Sequence, residues 1–472
     1  MSLPSLPCEL LLLIAEHLES EGDILAFGKA NRRFYHRLNS FLYRYNARHS
    51  ESSALLRATQ HGQETAVRKA LRADVYARGT YHHQALSRAS YDGNQAIVSL
   101  LLENGVDVNA RVGVFGNALQ AASWRGREGT VKLLLEKGAN VNAQGGHFGN
   151  ALQAASWGCH KDTVELLLRS GADINAEGGE YGNALQAASW GGYTDIVEDL
   201  LKSRADPNAH GGVYCRAASA GHNAIVKALI EAGASIDAHG GIFGNALQAA
   251  AWGGQRAVVV LLLREGADVN APGGVYGSAL CKASEGGHIA IVQLLLNEGA
   301  DINAHGGLHG DALRAASARG HEGVAKLLLE ERADVNAQNR ECGSAIYKAS
   351  ERGNVAIVDL LLQHGADVHT QGGLYGNSLQ AASARGHMAV VELLLGKRAD
   401  VNARGGVYGS ALETAAAEGH QAIVELLLEK GADVKAQAGL YGSALEKTPP
   451  STVTARYVGR IAAAISRAVG IL

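Results

Sequence analysis

Most of this 472-residue sequence repeats with a period of 33 residues. The motif Asn-Ala-Leu-Gln begins at Asn117, Asn150 and Asn183, and returns at Asn245. The first residue of the Ala-Leu pair, or the residue in its place, recurs at Ala85, Ala118, Ala151, Ala184, Ala246, Ala279, Ala312, Ala345, Ser378, Ala411 and Ala444. A period of this length is typical of solenoids, in which each repeat is one small unit that packs on its neighbours.

Each repeat predicts two short helices joined by tight turns. Asn117, Ser278 and Asp311 share one register position, and all three are residues that cap the start of a helix. The second helix carries Leu-Leu-Leu, which is too apolar for an exposed helix and predicts the interior stripe. A glycine such as Gly138 or Gly299 follows it, where a left-handed C-terminal cap is expected.

The register predicts about twelve repeats between residues 50 and 447 and contains one irregular step. Ala184 and Ala246 are 62 positions apart, which is four fewer than two periods of 33. The Asn-Ala-Leu element is absent around Val213 to Cys215. We therefore expect this repeat to have a shortened first helix.

The motif order of the repeat is that of a known family. Residues 279–311 contain Ala-Leu, Gly-His, Ile-Val, Leu-Leu-Leu and Gly-Ala-Asp-Ile-Asn-Ala in turn, which resembles the ankyrin repeat. The resemblance implies an all-α solenoid of helix–turn–helix units with hairpin arms, whose concave groove binds another protein and which is not an enzyme. Two features depart from the family pattern: the usual Thr-Pro-Leu-His start is Asn/Ser-Ala-Leu-Gln, and an aromatic residue replaces glycine in the hairpin.

Residues 1–48 do not fit the repeat and resemble an F-box. They contain Leu-Pro-x-Glu-Leu from Leu6, an Asp-Ile pair at Asp23, and Asn-Arg-Arg-Phe from Asn31. The resemblance implies docking of the Skp-type adaptor of a cullin ubiquitin ligase, with a second domain that holds an unknown protein substrate. The adaptor-binding residues that it implies are Leu6, Pro7, Leu10, Ile14, Leu18 and Ile24.

Physical reasoning allows two interpretations of this segment. Three helices of about ten residues bury too little apolar surface to be stable alone, and a partner helix on Leu10, Ile14 and Ile24 would supply the missing burial. Alternatively, the segment only caps the first repeat, as solenoids require, and the protein is an ankyrin scaffold without a ubiquitin role. Residues 448–472 predict a basic amphipathic helix, with Tyr457 and Ile461 on its apolar face, which caps the last repeat or lies on a membrane surface.

Aromatic residues occupy two repeated positions that we expect to line the concave groove. All four tryptophans of the chain lie near the end of the first helix of a repeat, at Trp124, Trp157, Trp190 and Trp252. The hairpin position holds Phe115, Phe148, Tyr181, Phe243, Tyr276, Tyr375 and Tyr408. The tryptophans either anchor a bound partner or fill space between neighbouring repeats. A purely structural residue should persist along the repeats, yet the tryptophans stop after Trp252 while the packing residues continue. Both interpretations therefore stay open.

Beyond residue 280, the tryptophan position or its neighbour is charged in most repeats, and we expect these charges to select a partner rather than anchor it. The residues concerned are Glu285, Arg319, Glu351, Arg352 and Arg385. The groove is therefore predicted to have an aromatic N-terminal part and a charged C-terminal part.

Composition and motifs exclude several other classes. A net charge of −3 gives no general attraction to nucleic acid, and no stretch is apolar for long enough to span a membrane. Five scattered cysteines make no disulfide framework. No phosphate-binding loop, zinc-protease motif or nucleophile elbow occurs, and the repeated histidines, such as His288, are expected to serve the turn between helices. We expect an intracellular protein, cytoplasmic or nuclear, with neither cofactor nor metal.

Overall fold

The computed structural model describes residues 53–73, 80–209, 213–239, 244–272, 277–307, 310–338 and 343–433. Within these ranges the chain forms 24 helices and no β-strand, so the predicted all-α solenoid is confirmed. The helices follow one another in twelve pairs. The F-box-like segment 1–48 and the C-terminal segment 448–472 lie outside the described residues.

The helices are short and regular in length. They are α1 Ser53–Gln60, α2 Glu64–Ala73, α3 Thr80–Asp92, α4 Gln95–Glu103, α5 Ala118–Trp124, α6 Glu128–Glu136, α7 Ala151–Trp157, α8 Lys161–Arg169, α9 Ala184–Gly191, α10 Thr194–Lys202, α11 Val213–Ala220, α12 Asn223–Glu231, α13 Ala246–Trp252, α14 Arg256–Arg264, α15 Ala279–Gly286, α16 Ile289–Asn297, α17 Ala312–Arg319, α18 Glu322–Glu330, α19 Ala345–Arg352, α20 Val355–Gln363, α21 Ser378–Arg385, α22 Met388–Gly396, α23 Ala411–Glu418 and α24 Gln421–Glu429. Odd-numbered helices are the first of each repeat and even-numbered helices the second.

Two compact units make up the described chain. The first contains the residues up to Val213 together with Ala228–Ala234, and the second contains Tyr214–Lys227 and the residues from Ser235 onward. In each unit the core lies between the two helices of a repeat and between consecutive first helices. Ala121, Ala122 and Leu134 of the first unit and Ala315, Ala316 and Leu328 of the second are fully buried. Alanines on the first helix allow this close packing.

The first helix begins as the sequence predicts, with a polar cap. The Asn117 side chain accepts a hydrogen bond from the Gln120 N–H at 2.9 Å. In return, Gln120 Oε1 accepts from the Asn117 N–H at 2.8 Å. This is a capping box, which satisfies two backbone donors that the helix itself leaves unpaired. The predicted left-handed glycines after the second helix are confirmed, with φ of 85° at Gly138 and 86° at Gly299.

The prediction of a shortened first helix in the irregular repeat is wrong. Helix α11 has eight residues, as does α9. Fourteen residues (170–183) separate α8 from α9, but only ten (203–212) separate α10 from α11. The four missing residues are therefore lost from the hairpin arm. The cap Asn of the missing motif is lost with the hairpin residues, whereas Val213 and Tyr214 take the places of Ala-Leu at the start of a full-length helix.

Candidate protein-binding surface

Six aromatic rings of the first unit form one continuous series, which we call the aromatic ladder. Its members from the ends of first helices are Tyr91, Trp124 and Trp157, and its members from the hairpins are Phe115, Phe148 and Tyr181. The two positions meet because each hairpin arm returns the chain alongside the end of the preceding first helix. The sequence predicts the two positions separately, and the fold brings them together.

Ring-to-ring distances show that the ladder is continuous. The Phe115 ring centroid lies 5.3 Å from that of Tyr91 and 5.3 Å from that of Trp124. The Trp124 and Phe148 centroids are 5.7 Å apart, those of Phe148 and Tyr181 are 6.1 Å apart, and those of Tyr181 and Trp157 are 4.1 Å apart. Centroid separations in this range are favourable for aromatic pairs. The hairpin rings therefore bridge successive repeats.

Solvent exposure along the ladder is mixed. Phe148 is buried, with 4% of its surface exposed, whereas Phe115, Trp124, Trp157 and Tyr181 are only partly buried. Beyond the ladder, Trp190 is 43% exposed in the first unit and Trp252 is 45% exposed in the second. The rings thus pack between repeats, as one interpretation of the sequence proposes, and five of the six, Tyr91 included, also present a face to solvent.

Two arginines that the sequence analysis did not single out lie over the ladder. The Arg125 guanidinium is 5.0 Å from the centroid of the Tyr91 ring and 5.9 Å from that of Trp124. The Arg88 guanidinium is 5.5 Å from the same Tyr91 ring. Cations over aromatic faces are attracted by the ring quadrupole. The available signal was the position of Arg125 directly after Trp124, where other tryptophans are followed by glycine.

The charged positions of the second unit are partly occupied by ion pairs. The Glu285 carboxylate, which is mostly buried, lies 2.8 Å from Lys282 Nζ and 2.6 Å from the Arg319 guanidinium. The Glu351 carboxylate lies 3.0 Å from Lys348 Nζ. Arg319, Arg352 and Arg385 are exposed. Neighbouring cations thus hold these two glutamates. Of the charges predicted to face a partner, the three arginines are the ones exposed to solvent.

A second aromatic cluster lies in the second unit and differs from the ladder in burial. Tyr347 and Tyr375 are buried together, and Tyr408 packs against them. The Tyr375 and Tyr408 ring centroids are 6.1 Å apart, and the Arg385 guanidinium lies 5.5 Å from the Tyr375 ring. Tyr347 and Tyr375 thus belong to the core, whereas five of the six ladder rings are partly exposed.

The repeated histidines act between repeats. His288 Nε2 lies 3.1 Å from the carbonyl oxygen of Trp252, and His321 Nε2 lies 2.9 Å from that of Glu285. In each case the carbonyl lies in the last turn of the first helix of the preceding repeat. The histidine side chain therefore does more than serve the turn between helices, because it also links that turn to the preceding repeat. In the described ranges, no group of three His, Cys, Asp or Glu residues is placed to hold a metal ion.

The adaptor-binding residues implied by the F-box resemblance, from Leu6 to Ile24, lie outside the described residues, and so do the hairpin residues Phe243 and Tyr276. None of the helices in the described ranges is both long enough and apolar enough to cross a membrane.

Comparison with known proteins identifies the repeat. The family model described as "Ankyrin repeats (3 copies)" matches residues 55–145, 119–211, 185–273, 214–306, 271–339, 312–405 and 346–438. Among solved structures, the human ASB11 ankyrin repeat domain is 27% identical, with a TM-score of 0.38, over 45% of this chain and 96% of that one. No curated protein matches the sequence. The chain belongs to the ankyrin-repeat family, whose repeats bind protein partners and are generally not enzymes.

Proposed function

We propose that this protein is the substrate-recognition subunit of an SCF-type cullin ubiquitin ligase. In this proposal residues 6–34 dock a Skp-type adaptor, and the concave side of the repeats holds the protein substrate. The observation that carries the substrate-binding half is the aromatic ladder, five of whose six rings are partly exposed in the first unit. Partly exposed tryptophan and tyrosine rings at fixed positions are the side chains that most often anchor protein partners.

The geometry of the ladder supports an anchoring role. Each exposed ring is held by a neighbour, as Trp157 is by Tyr181 at 4.1 Å. A ring that is fixed before binding loses little conformational entropy when the partner arrives, so more of its contact energy contributes to affinity. Glu285 and Glu351 of the second unit are already paired with cations, and they would have to break those contacts to bind a partner. We therefore place the main anchor on the ladder.

The adaptor-binding half rests on the sequence of residues 6–34. The Leu-Pro-x-Glu start and the Asn-Arg-x-Phe ending are not required of a segment that only covers the first repeat. A segment this short gains stability from a partner helix, and Leu10, Ile14 and Ile24 have the spacing of one apolar helix face. If the segment is only a cap, the protein is an ankyrin scaffold with no link to ubiquitin.

A pull-down with purified Skp-type adaptor separates these two functions. We expect the full chain to retain the adaptor, and the double variant Leu10→Asp, Ile14→Asp to lose it, because two carboxylates would be placed on the apolar contact face. Circular dichroism of the variant should match the unmodified chain, since the repeats do not depend on this contact. Absence of adaptor binding by the unmodified chain would leave the scaffold function.

A further inference from the structure

An open groove lies at the N-terminal end of the aromatic ladder. Its volume is about 390 Å³, and it lies between helix α3 and the hairpin that precedes α5. The apolar part of its lining comes from Tyr91, Val112, Val114 and Phe115. Val114 is 72% exposed at the edge of the groove. A groove of this size and lining accepts one large apolar side chain.

Positive charge surrounds this apolar groove. Arg88 lines it, Arg125 lies over the ring of Tyr91, and exposed Arg111 directly precedes Val112. The carboxylate of Asp92 is already bound to Arg88 Nε at 2.7 Å. Among the residues that the structure describes, neither Arg111 nor Arg125 has a carboxylate within ion-pair distance.

A fourth arginine is bound to the backbone of Tyr91. Arg127 Nε donates to the backbone carbonyl of Tyr91 at 3.3 Å. Its charge is therefore held near the end of α3 by a contact that a bound partner does not need to break. The surface around the groove combines an apolar centre with guanidinium groups at its rim.

We propose that this groove binds an extended peptide segment in which an aromatic or branched aliphatic side chain is flanked by carboxylates. The inference deepens the proposed function, because it names the chemical class of the partner segment that the ladder would hold. The apolar side chain fills the space between Tyr91, Val114 and Phe115. The flanking carboxylates meet Arg111 and Arg125, which supply charge-assisted hydrogen bonds in a planar geometry suited to carboxylates.

The charge pattern separates this occupant from others. A lysine- or arginine-rich segment would face guanidinium groups and be repelled. A purely apolar segment would fill the groove but leave the rim arginines without partners. A second copy of the chain would produce self-association that depends on Arg125.

Fluorescence anisotropy with designed peptides tests the inference on the full chain. The probes are fluorescein-labelled peptides with a central phenylalanine flanked on each side by two glutamates or by two lysines, and a glutamate-flanked peptide with a central alanine. We expect the first peptide to bind, and the other two to bind at least about tenfold more weakly, since several exposed charge pairs or the apolar contact are then lost. Added salt should weaken the first complex.

Charge reversal in the protein provides the matched comparison. Arg125→Glu should weaken binding of the glutamate-flanked peptide and strengthen binding of the lysine-flanked one. Arg169→Glu is the control, because Arg169 is an exposed arginine on the second helix α8 that pairs with Glu165 of the same helix, and it should change neither affinity. Both substitutions are at exposed positions, so thermal unfolding should remain close to that of the unmodified chain.

Several results would overturn the inference. These are equal affinity for the two charge versions of the peptide, no binding of any peptide, or no change in Arg125→Glu. Sedimentation that shows Arg125-dependent self-association would assign the groove to a second copy instead. None of these results bears on the adaptor pull-down, so the proposed ligase role stands or fails separately.

Discussion

One side chain, the glutamine at the third position of the first helix, connects each of several repeats to the next. The two N–H groups of Gln120 Nε2 face three carbonyl oxygens within hydrogen-bond distance, those of Ala143 at 3.2 Å, Gly145 at 3.0 Å and Gly149 at 2.8 Å, all in the following hairpin. Gln153 and Gln380 make the same three contacts. The sequence predicts the Asn cap because capping is local. It does not predict the link, because the accepting carbonyls are 23 to 29 residues away.

Tyr347 occupies this glutamine position in its own repeat, where its hydroxyl makes one hydrogen bond that can be tested. Its hydroxyl accepts from the backbone N–H of Tyr375 at 3.2 Å. Burial raises the pKa of Tyr347 to about 12, while this hydrogen bond acts in the opposite direction, so the phenol is neutral at physiological pH. Tyr347→Phe leaves a buried N–H without its acceptor and should cost about 1–2 kcal/mol.

Hydrogen exchange at the Tyr375 amide measures this loss directly. The rate should rise in Tyr347→Phe. It should stay the same in Tyr408→Phe, which removes an exposed hydroxyl that donates to Glu418 at 3.2 Å. Unchanged protection of the Tyr375 amide in Tyr347→Phe would show that the hydroxyl contributes nothing.

His160 makes stability depend on pH. Its Nε2 lies 3.0 Å from the carbonyl oxygen of Trp124 and donates to it as the neutral ring. Burial is the main cause that lowers the pKa of His160 below its ordinary value, Arg125 and Arg127 lower it further, and the hydrogen bond opposes this shift. The unfolded chain therefore takes up this proton at a higher pH than the folded chain. The free energy of unfolding should fall as pH drops below about 6.5, and this contribution is fully present above that value.

His160→Gln tests the pH dependence while keeping a donor. Gln255 shows that glutamine can act at this position, because its Nε2 donates to the carbonyl of Ser219 at 3.3 Å. The difference in unfolding temperature between about pH 7 and about pH 5.5 should be smaller in His160→Gln than in the unmodified chain. An equal or larger difference would contradict the assignment.

Among the features of the helices, the sequence predicts the N-terminal caps best. One repeat carries a charged version of this cap. Asp311 caps α17, and its side chain accepts from the Arg314 N–H at 2.8 Å. The Arg314 guanidinium is 2.8 Å from the Asp311 carboxylate, and Arg314 has 1% of its surface exposed. Asn and Gln hold these two positions elsewhere, as at Asn150 and Gln153. A buried ion pair thus replaces a neutral capping box.

We expect substitutions of Asp311 and Arg314 to have non-additive effects on the free energy of unfolding. Arg314→Ala leaves the Asp311 carboxylate buried without its cation and should cost about 3–5 kcal/mol. The double variant Asp311→Asn, Arg314→Gln restores the neutral box and should be within about 1 kcal/mol of the unmodified chain, or more stable. Urea unfolding, followed by exchange of the α17 amides, measures both. Equal losses in the single and double variants would contradict this account of the cap.

The irregular repeat shows where prediction of elements from the sequence fails. The missing Asn-Ala-Leu motif suggests loss of a helix start, but α11 retains full length and the hairpin arm is shorter. Cys215 then occupies the position of the linking glutamine, with its Sγ 3.5 Å from the carbonyl oxygen of Gly244. The motif marks the position of a residue within the repeat. The helix itself needs only residues that can continue its backbone hydrogen bonds, so it forms without the motif.

At the scale of the whole molecule, the periodic sequence predicts the repeat architecture but only part of the surface. The positions of Trp124 and Phe115 follow from the register. The cation contacts of Arg125, the groove beside Tyr91 and the ion pairs of Glu285 do not, because they depend on side chains that meet across two repeats. The sequence predicts an aromatic part and a charged part. Among the described residues, the aromatic ladder lies in the first unit, Trp252 is exposed in the second, and three of the predicted charges, Glu285, Arg319 and Glu351, form ion pairs.

Partner binding should depend more on the ladder than on the charged positions. Trp157→Ala should cost roughly 2 kcal/mol or more of binding free energy if the ring is an anchor. Arg352→Ala should cost less and should mainly change the salt dependence. Calorimetric titration with a captured partner gives both values, and thermal unfolding of each variant separates lost binding from the lost contact between Trp157 and Tyr181. Comparable losses for the two variants would argue against a ladder anchor.

If one chain carries two separable binding surfaces, as we propose, quantitative co-precipitation should separate them. Three versions are compared in the same cell extract: the unmodified chain, the Leu10→Asp, Ile14→Asp variant, and Trp157→Ala. We expect the first to recover the Skp-type adaptor together with a partner protein, the second to lose the adaptor but keep the partner, and the third to keep the adaptor but lose the partner. Two results would contradict the presence of these two surfaces. The unmodified chain would recover the partner without any adaptor, or Trp157→Ala would recover as much partner as the unmodified chain.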